Sequence, residues 1–281
     1  MNMISKMRTL VCFFGEIRAT HTTFESIKTN LLAPLNADVF MCVSSQEPTC
    51  HETDPLLRAA KRYAMVDDQN IDYAAEFDRI SGGMNWRSST CIPGAWLQGL
   101  NDNKKYGGNV HALYKRFVLR EMIKDVIDDY DWFVVTRPDL MWLGHHPPVE
   151  KMHPDAIHIP DGEDWGGFND RHMVCSRRTV MRSICPLDTL FRDADLLVKA
   201  MANNPFGLNS EVFLRIHLQR QQVPVGRFLN MAFLTMDDRS PQGWSDPHYH
   251  DYYKVYYKFR TELESAVRNS GNTPFRFKGG V

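Results

Sequence analysis

The sequence predicts an α/β fold, a single domain over residues 1–281 built on a central, mostly parallel sheet flanked by helices. Three observations predict it. Residues 9–14 and 38–43 are short, almost wholly apolar runs separated by a helical pattern, the strand–helix–strand opening of a parallel sheet. Residues 132–136, Trp-Phe-Val-Val-Thr, form another apolar, β-branched run of the kind buried on both faces, and it follows the clearest helical pattern in the chain, residues 109–130. At 281 residues the chain can bury one large core, and it shows no repeat and no low-complexity segment.

Composition excludes several function classes. The chain is 43% hydrophobic and 24% charged with a formal net charge of −1, so it carries no excess charge to draw it to nucleic acid or anionic lipid. No apolar run approaches the roughly 20 residues that cross a bilayer, and residues 9–14 are too short for a signal-peptide core. The expectation is a cytoplasmic protein. Its six cysteines, with no Cys-x-x-Cys pair, suggest neither zinc nor a disulfide framework.

Taken in order, the first strand is expected to end at Gly15, with Arg18 just beyond. Arg18 is there either a phosphate ligand or a solvated turn residue. Thr22 to Glu25 reads as a capping box, Phe24, Ile27 and Leu31 give the following helix its apolar stripe, and Pro34 closes it. Residues 44–63 read as irregular and then briefly helical, with another short helix within 67–80. Residues 81–108, rich in Gly, Asn, Ser and Trp, read as a long surface excursion. The helix over 109–130 sets Leu119, Ile123, Val126, Ile127 and Tyr130 on one face. His111, Tyr114, Lys115 and Arg116 near its start face either a ligand or solvent.

The strand at 132–136 stops at Pro138, which has no N–H and holds Arg137 extended. Arg137 and Asp139 are thus presented at the C-terminal edge of the sheet, where open α/β sheets bind ligands. The pair suits a phosphate and a metal ion, or equally a strand-end salt bridge. His145 and His146 sit next to two prolines, Pro147 and Pro148, in an expected loop. Residues 156–160 and 173–175 read as strands around the most polar, glycine-rich loop, Asp161 to His172. There Trp165, Gly166 and Gly167 offer an aromatic floor for a sugar and a close backbone approach, and Asn169, Asp170 and Arg171 follow at the strand mouth. Residues 177–198 are expected to be helical and broken at Pro186. Ser210 is the expected N-cap of a helix carrying Glu211 in its first turn. Residues 223–236 read as a strand pair or one bent strand, 252–267 as a last helix, and 270–281 as a frayed end.

The motif order, Phe14-Gly15-x-x-Arg18, a long helix, then Tyr130-Asp-x-Phe-Val-Val-Thr-Arg137-Pro-Asp139-Leu, resembles a GT-A-type glycosyltransferase. It is most similar to the small soluble, exostosin-like enzymes of large algal viruses, over roughly residues 10–228. The resemblance implies a nucleotide-binding half at about 8–142 and an acceptor-side half at about 143–281. It implies donor contacts at Phe14, Gly15, Arg18, Tyr114, Arg137, Asp139, Trp165, Gly166 and Gly167, and a catalytic carboxylate at Asp170 with Glu211 as rival. Asp139 matches the last carboxylate of the Asp-x-Asp pattern and would hold Mn²⁺ or Mg²⁺. Arg137 stands where the first aspartate belongs, which puts that cation in question. The implied partners are a UDP-linked sugar, with xylose as the candidate, and a hydroxyl on an oligosaccharide or glycoprotein glycan. The alternative is a non-catalytic nucleotide- or glycan-binding module of the same fold, and a metal phosphohydrolase stands third.

Overall fold

The computed structural model describes residues 7–45, 53–92, 100, 108–202, 208–236 and 248–271. Cys50, most of the stretch 93–107 and the tail from 272 lie outside the described residues. The main sheet has seven strands in the order β3-β2-β1-β4-β7-β6-β8: β1 Thr9–Ile17, β2 Asp38–Ser45, β3 Arg62–Met65, β4 Trp132–Thr136, β6 Ile157–Pro160, β7 His172–Ser176 and β8 Val225–Phe228. Pairing is parallel from β3 through β4, antiparallel at β4–β7 and β7–β6, and parallel again at β6–β8. β7 therefore runs against the other six. That single reversal matters, because it places the start of β7 beside the end of β4, with Thr136 opposite His172.

The sheet is covered on both faces, as its continuous apolar strands require. Leu10, Cys12 and Phe14 point into one core with Phe40, Cys42, Phe133 and Val135, under the Tyr73–Ser81, Gly108–Lys124 and Ser210–Arg220 helices. Val11 and Phe13 point the other way with Val39, Met41, Val43 and Val134, against Ile27, Leu31, Leu35, Leu56 and Leu57. Strands come from both halves of the chain. A second sheet, β10-β11-β9-β5, stands over the C-terminal edge of the first; it is formed by β5 Leu140–Trp142, β9 Ala232–Met236, β10 His248–His250 and β11 Val255–Tyr257. Among the described residues no helix is long and apolar enough to cross a membrane.

Several expectations are corrected. β1 does not stop at Gly15; with φ +127° at that glycine it continues to Ile17, paired with Ser45. The first helix starts at Thr20 behind Ala19, so Thr22 lies inside its first turn and is not the cap of a capping box; the neighbouring Thr23 hydroxyl donates to the Pro138 and Ala19 carbonyls. Pro34 lies inside the last turn, after a π-helical stretch at Lys28–Leu32. The long helix ends at Lys124. The stretch after Ser81 is no mere surface excursion, since Trp86, Ile92 and Leu100 are buried. Residues 225–228 and 232–236 are two strands in different sheets. The last helix is Arg260–Ser270, and part of the stretch expected to be helical before it is β11. Asn209, not Ser210, caps the Ser210–Arg220 helix, accepting the Val212 N–H at 2.7 Å.

Candidate active site

The end of β4 carries a clasp of two arginines on one carboxylate. Arg137 donates from Nε to Asp139 Oδ1 at 2.8 Å and from Nη2 to Oδ2 at 2.6 Å. Arg18, one residue past β1, donates from Nε and Nη2 to the same Oδ2 at 2.9 and 2.7 Å. Gly15 brings the two strand ends together: a Cβ there would lie 3.7 Å from the Pro138 ring. Burial pushes the Asp139 carboxyl upward, but the charges and hydrogen bonds of Arg137 and Arg18 outweigh it and hold the group at about 2. Asp139 is 1% exposed, whereas the two guanidinium side chains keep 21% and 25% of their surface. The strand-end salt bridge is thus real, and its solvent-facing edge is cationic. From behind, the Asp139 carbonyl accepts both the N–H and the hydroxyl of Thr235, each at 2.9 Å, which fixes the clasp to the second sheet.

The loop between β6 and β7 returns to the same edge because β7 runs in reverse. Its backbone is left-handed at Gly162, Glu163, Trp165 and Gly166, a conformation that costs energy at the two non-glycine residues. Asp164 holds the loop by accepting the Asn169 N–H at 2.9 Å and a two-pronged contact from Arg227 at 3.0 Å. Asn209 Nδ2 donates to the Trp165 carbonyl at 2.9 Å, and the Phe168 N–H donates to the Glu211 carbonyl at 3.0 Å. Gly167 rests on the helix start so closely that a Cβ would fall 1.9 Å from the Glu211 carbonyl oxygen. The close approach that this glycine permits is to the protein's own helix.

That packing joins the two carboxylates. Glu211, 8% exposed, is pushed up to about 7 by burial and by the charge of Asp170, with Arg171 and the Ser210 hydroxyl pulling the other way. Asp170 also acts on Arg137, whose guanidinium is disfavoured by burial but held charged by Asp139 and Asp170. Asp170, Glu211, Arg137, Asp139 and Arg18 therefore belong to one site. Trp165 stands beside it, 56% exposed, with its indole N–H on Glu163 at 3.1 Å and its ring 5.7 Å from that of Phe259. Two expected donor contacts lie elsewhere. The Phe14 side chain is buried in the core with the Arg116 guanidinium 5.5 Å from its ring. The Tyr114 hydroxyl donates to Glu76 at 3.2 Å, with its ring edge-on to Tyr73.

The structure adds residues that sequence reasoning missed. The Lys258 ammonium is disfavoured by burial and by Arg171, Arg137 and Arg18, with Glu211 offsetting them, so it belongs to the same cluster. Arg171 donates to Glu262 at 3.1 Å in a buried ion pair, and Glu262 also accepts the Leu234 N–H at 2.9 Å. Both Arg171 and Lys258 lie against the Phe259 ring, at 4.7 and 4.9 Å. Lys115 is buried, not solvated, and pairs with Asp68 at 2.6 Å, where Ser44, Tyr73 and His111 also bond. Lys115 feels Glu16 in turn, and Glu16 lies 3.8 Å from Arg18. Along the sheet edge the charges alternate: Asp68, Lys115, Glu16, Arg18, Asp139, Arg137, Asp170. Behind the clasp, His146 is buried as well. Its Nδ1 faces the Pro147 carbonyl at 2.7 Å and must donate. Its Nε2 then accepts from His172 Nε2 at 3.3 Å, and His172 Nδ1 accepts the Thr136 hydroxyl at 2.9 Å. Burial keeps both imidazoles neutral, His146 at about 4.

The residues do not fit the divalent cation expected at Asp139. Oδ2 already takes three N–H donors, and a cation seated there would face two guanidinium groups. At about 5 Å and an effective dielectric of about 20, each would repel a divalent ion by roughly 7 kcal/mol. Among the described residues no group of three His, Cys, Asp or Glu side chains is placed to hold a metal.

The fold and site define a mixed α/β protein with a pair of arginines on one carboxylate and two neighbouring acidic side chains, Asp170 and Glu211, at the C-terminal edge of its sheet. Residues 4–244 match the model of DUF7796, described as a domain of unknown function, and the chain belongs to that family. No curated protein matches it. One similar solved structure is the apo form of mouse xyloside xylosyltransferase 1, at 12% identity and a TM-score of 0.40, covering 78% of this chain and 83% of that one. So distant a likeness assigns no chemistry, and neither description names an exostosin-like or viral enzyme.

Proposed function

We propose that this chain is a glycosyltransferase, moving a sugar from a nucleotide-sugar donor, UDP-linked by the motif resemblance, to a hydroxyl of a glycan acceptor. The observation that carries the reading is the meeting of a part-exposed arginine clasp with the neighbouring carboxylates Asp170 and Glu211 on one sheet edge. Such transfer has two electrostatic demands. The departing diphosphate must be stabilised, and the acceptor hydroxyl must lose its proton. Arg18 and Arg137 face the first demand with fixed N–H donors. For the second we assign Glu211, because Asp170 beside it makes it the stronger base, and a carboxylate at about 7 is well matched to neutral pH. The acceptor oxygen bonds to the anomeric carbon as the carbon–oxygen bond to phosphate breaks. Its electrons pass to the diphosphate and the hydroxyl proton to Glu211, a single displacement that inverts the anomeric centre. Trp165 offers its exposed indole face as a floor for a sugar ring.

Turnover of UDP-sugars, scored as transfer or slow donor hydrolysis, tests the reading together with Glu211→Gln and Asp170→Asn. Glu211→Gln is expected to lower the rate by about 10²–10⁴. Asp170→Asn is expected to shift the acid limb of the rate profile to lower pH, because Glu211 loses the neighbour that raises it. Turnover indifferent to both substitutions would sink the assignment of the base, and donor binding without any turnover would instead support the non-catalytic module.

A further inference from the structure

We infer that Asp139 is a positioning residue that holds two arginines, and that the Arg18–Asp139–Arg137 clasp takes the diphosphate of a nucleotide donor without a divalent cation. The inference rests on the nucleotide-sugar reading for the identity of the ligand, and on geometry for the rest. A carboxylate oxygen has about two lone-pair directions, and Asp139 Oδ2 already receives three N–H donors while Oδ1 receives one. A further carboxylate on this side, Glu16, lies 3.8 Å from Arg18. Binding a metal would therefore require breaking a buried, fourfold hydrogen-bonded pairing.

The clasp also has what a diphosphate site needs in place of a metal. Arg137 commits Nε and Nη2 to Asp139, and no partner among the described residues takes its Nη1, on a side chain that keeps a quarter of its surface. Two guanidiniums against one carboxylate leave the clasp itself with a net charge of +1, with Lys258 and Arg171 as further cations beside it and Glu16 and Asp170 as its flanking anions. The geometry is set before any ligand arrives. Thr235 holds the Asp139 carbonyl by two hydrogen bonds, and the Thr23 hydroxyl holds that of Pro138 at 2.9 Å. A fork of planar donors fixed in this way matches phosphate oxygens pairwise, as a point cation does not.

The test is calorimetric titration of the full chain with UDP and, separately, inorganic pyrophosphate, in EDTA and then in millimolar Mn²⁺, with Mn²⁺ uptake by the protein alone followed by electron paramagnetic resonance. UDP affinity is expected to agree within about twofold between EDTA and Mn²⁺, with no Mn²⁺ uptake. Asp139→Asn is expected to weaken UDP in EDTA by about tenfold or more, as the arginines lose their anchor. Arg137→Gln should do the same, and it keeps the test open if the first variant folds poorly. UDP binding that requires Mn²⁺, or Mn²⁺ uptake by the wild type that Asp139→Asn abolishes, overturns the inference. Pyrophosphate binding in EDTA without UDP binding upholds the clasp and sinks the nucleotide-sugar reading. If neither ligand binds under either condition, both fail.

Discussion

Replacing Gly167 by alanine adds one methyl group where the structure leaves no space. The added carbon would sit 1.9 Å from the Glu211 carbonyl oxygen, 2.0 Å from its carbon and 2.2 Å from the Val212 nitrogen. Ordinary contact is about 3.4 Å, so the loop and helix start must part by more than 1 Å, and all three obstacles are backbone. Overpacking of this kind costs about 1–3 kcal/mol, and here the Phe168–Glu211 hydrogen bond is strained with it. In a chain of this size each kcal/mol moves Tm by about 2 °C, so a fall of roughly 2–6 °C is expected. The larger effect is on chemistry, because the displaced contact is the one that brings Asp170 to Glu211; a 1 Å misplacement can cost about 10²-fold in rate. Differential scanning calorimetry and donor hydrolysis read the two effects. Gly166→Ala is the control: its Cβ would meet only Val212 Cγ2 at 3.7 Å, leaving the cost of a φ of +83°, about 1–2 kcal/mol. If Gly167→Ala were no worse than Gly166→Ala in both assays, the account of the loop resting on the helix would be wrong.

Three other predictions concern charge. Because the folded Glu211 is raised from 4.5 to about 7, the native state binds an extra proton across that window and stability falls as pH rises through it, by at most about 3 kcal/mol. His146, His172 and His217, held neutral by burial, work in the opposite sense. The check is therefore a difference: Glu211→Gln should gain urea stability relative to wild type on going from pH 5 to pH 7.5, and equal slopes would contradict it. Glu262→Ala strands the buried Arg171 and the Leu234 N–H, so a loss of about 3–5 kcal/mol is expected in the same denaturation assay. Arg116 is buried with its N–H groups on the Ile184 and Ser183 carbonyls and Met173 Sδ, and its charge is offset by Asp170. Arg116→Met should leave stability within about 2 kcal/mol, since a buried charge without an ion-pair hydrogen bond is exchanged for an apolar chain of similar reach. It should also move the acid limb of the rate profile to higher pH, and an unmoved limb would free Arg116 of any part in the site.

What was legible in the sequence was the layout of strands buried on both faces. Residues 9–14, 38–43 and 132–136 announce themselves because nearly every position is apolar, and the proline after Arg137 marks where the charges begin. β3 was missed for the converse reason: Arg-Tyr-Ala-Met at a sheet edge buries little, so no apolar run betrays it. Arg137, Asp139, Asp170 and Glu211 were legible as polar groups at element ends. Their grouping depended on β7 running in reverse, which no local pattern encodes. Lys258 and Glu262 were hidden in a segment that reads as a last helix, and their surroundings are decided by strands and contacts 20 or more positions away. Lys115 and Arg116 looked solvated because helical spacing cannot tell a charged residue facing water from one aimed across a sheet edge.

The alternation from Asp68 to Asp170 along that edge has a consequence for how a ligand arrives. Opposite charges a few ångströms apart cancel within about one Debye length, roughly 8 Å at physiological salt, so the edge projects little field into solution. Diffusing anions are not gathered from afar, and the chain's formal net charge of −1 gives no help. Selection happens on contact, where the potential changes sign from one side chain to the next and only a ligand of matching charge spacing gains. Association should therefore be slow and nearly indifferent to ionic strength, with discrimination expressed in how long a ligand stays.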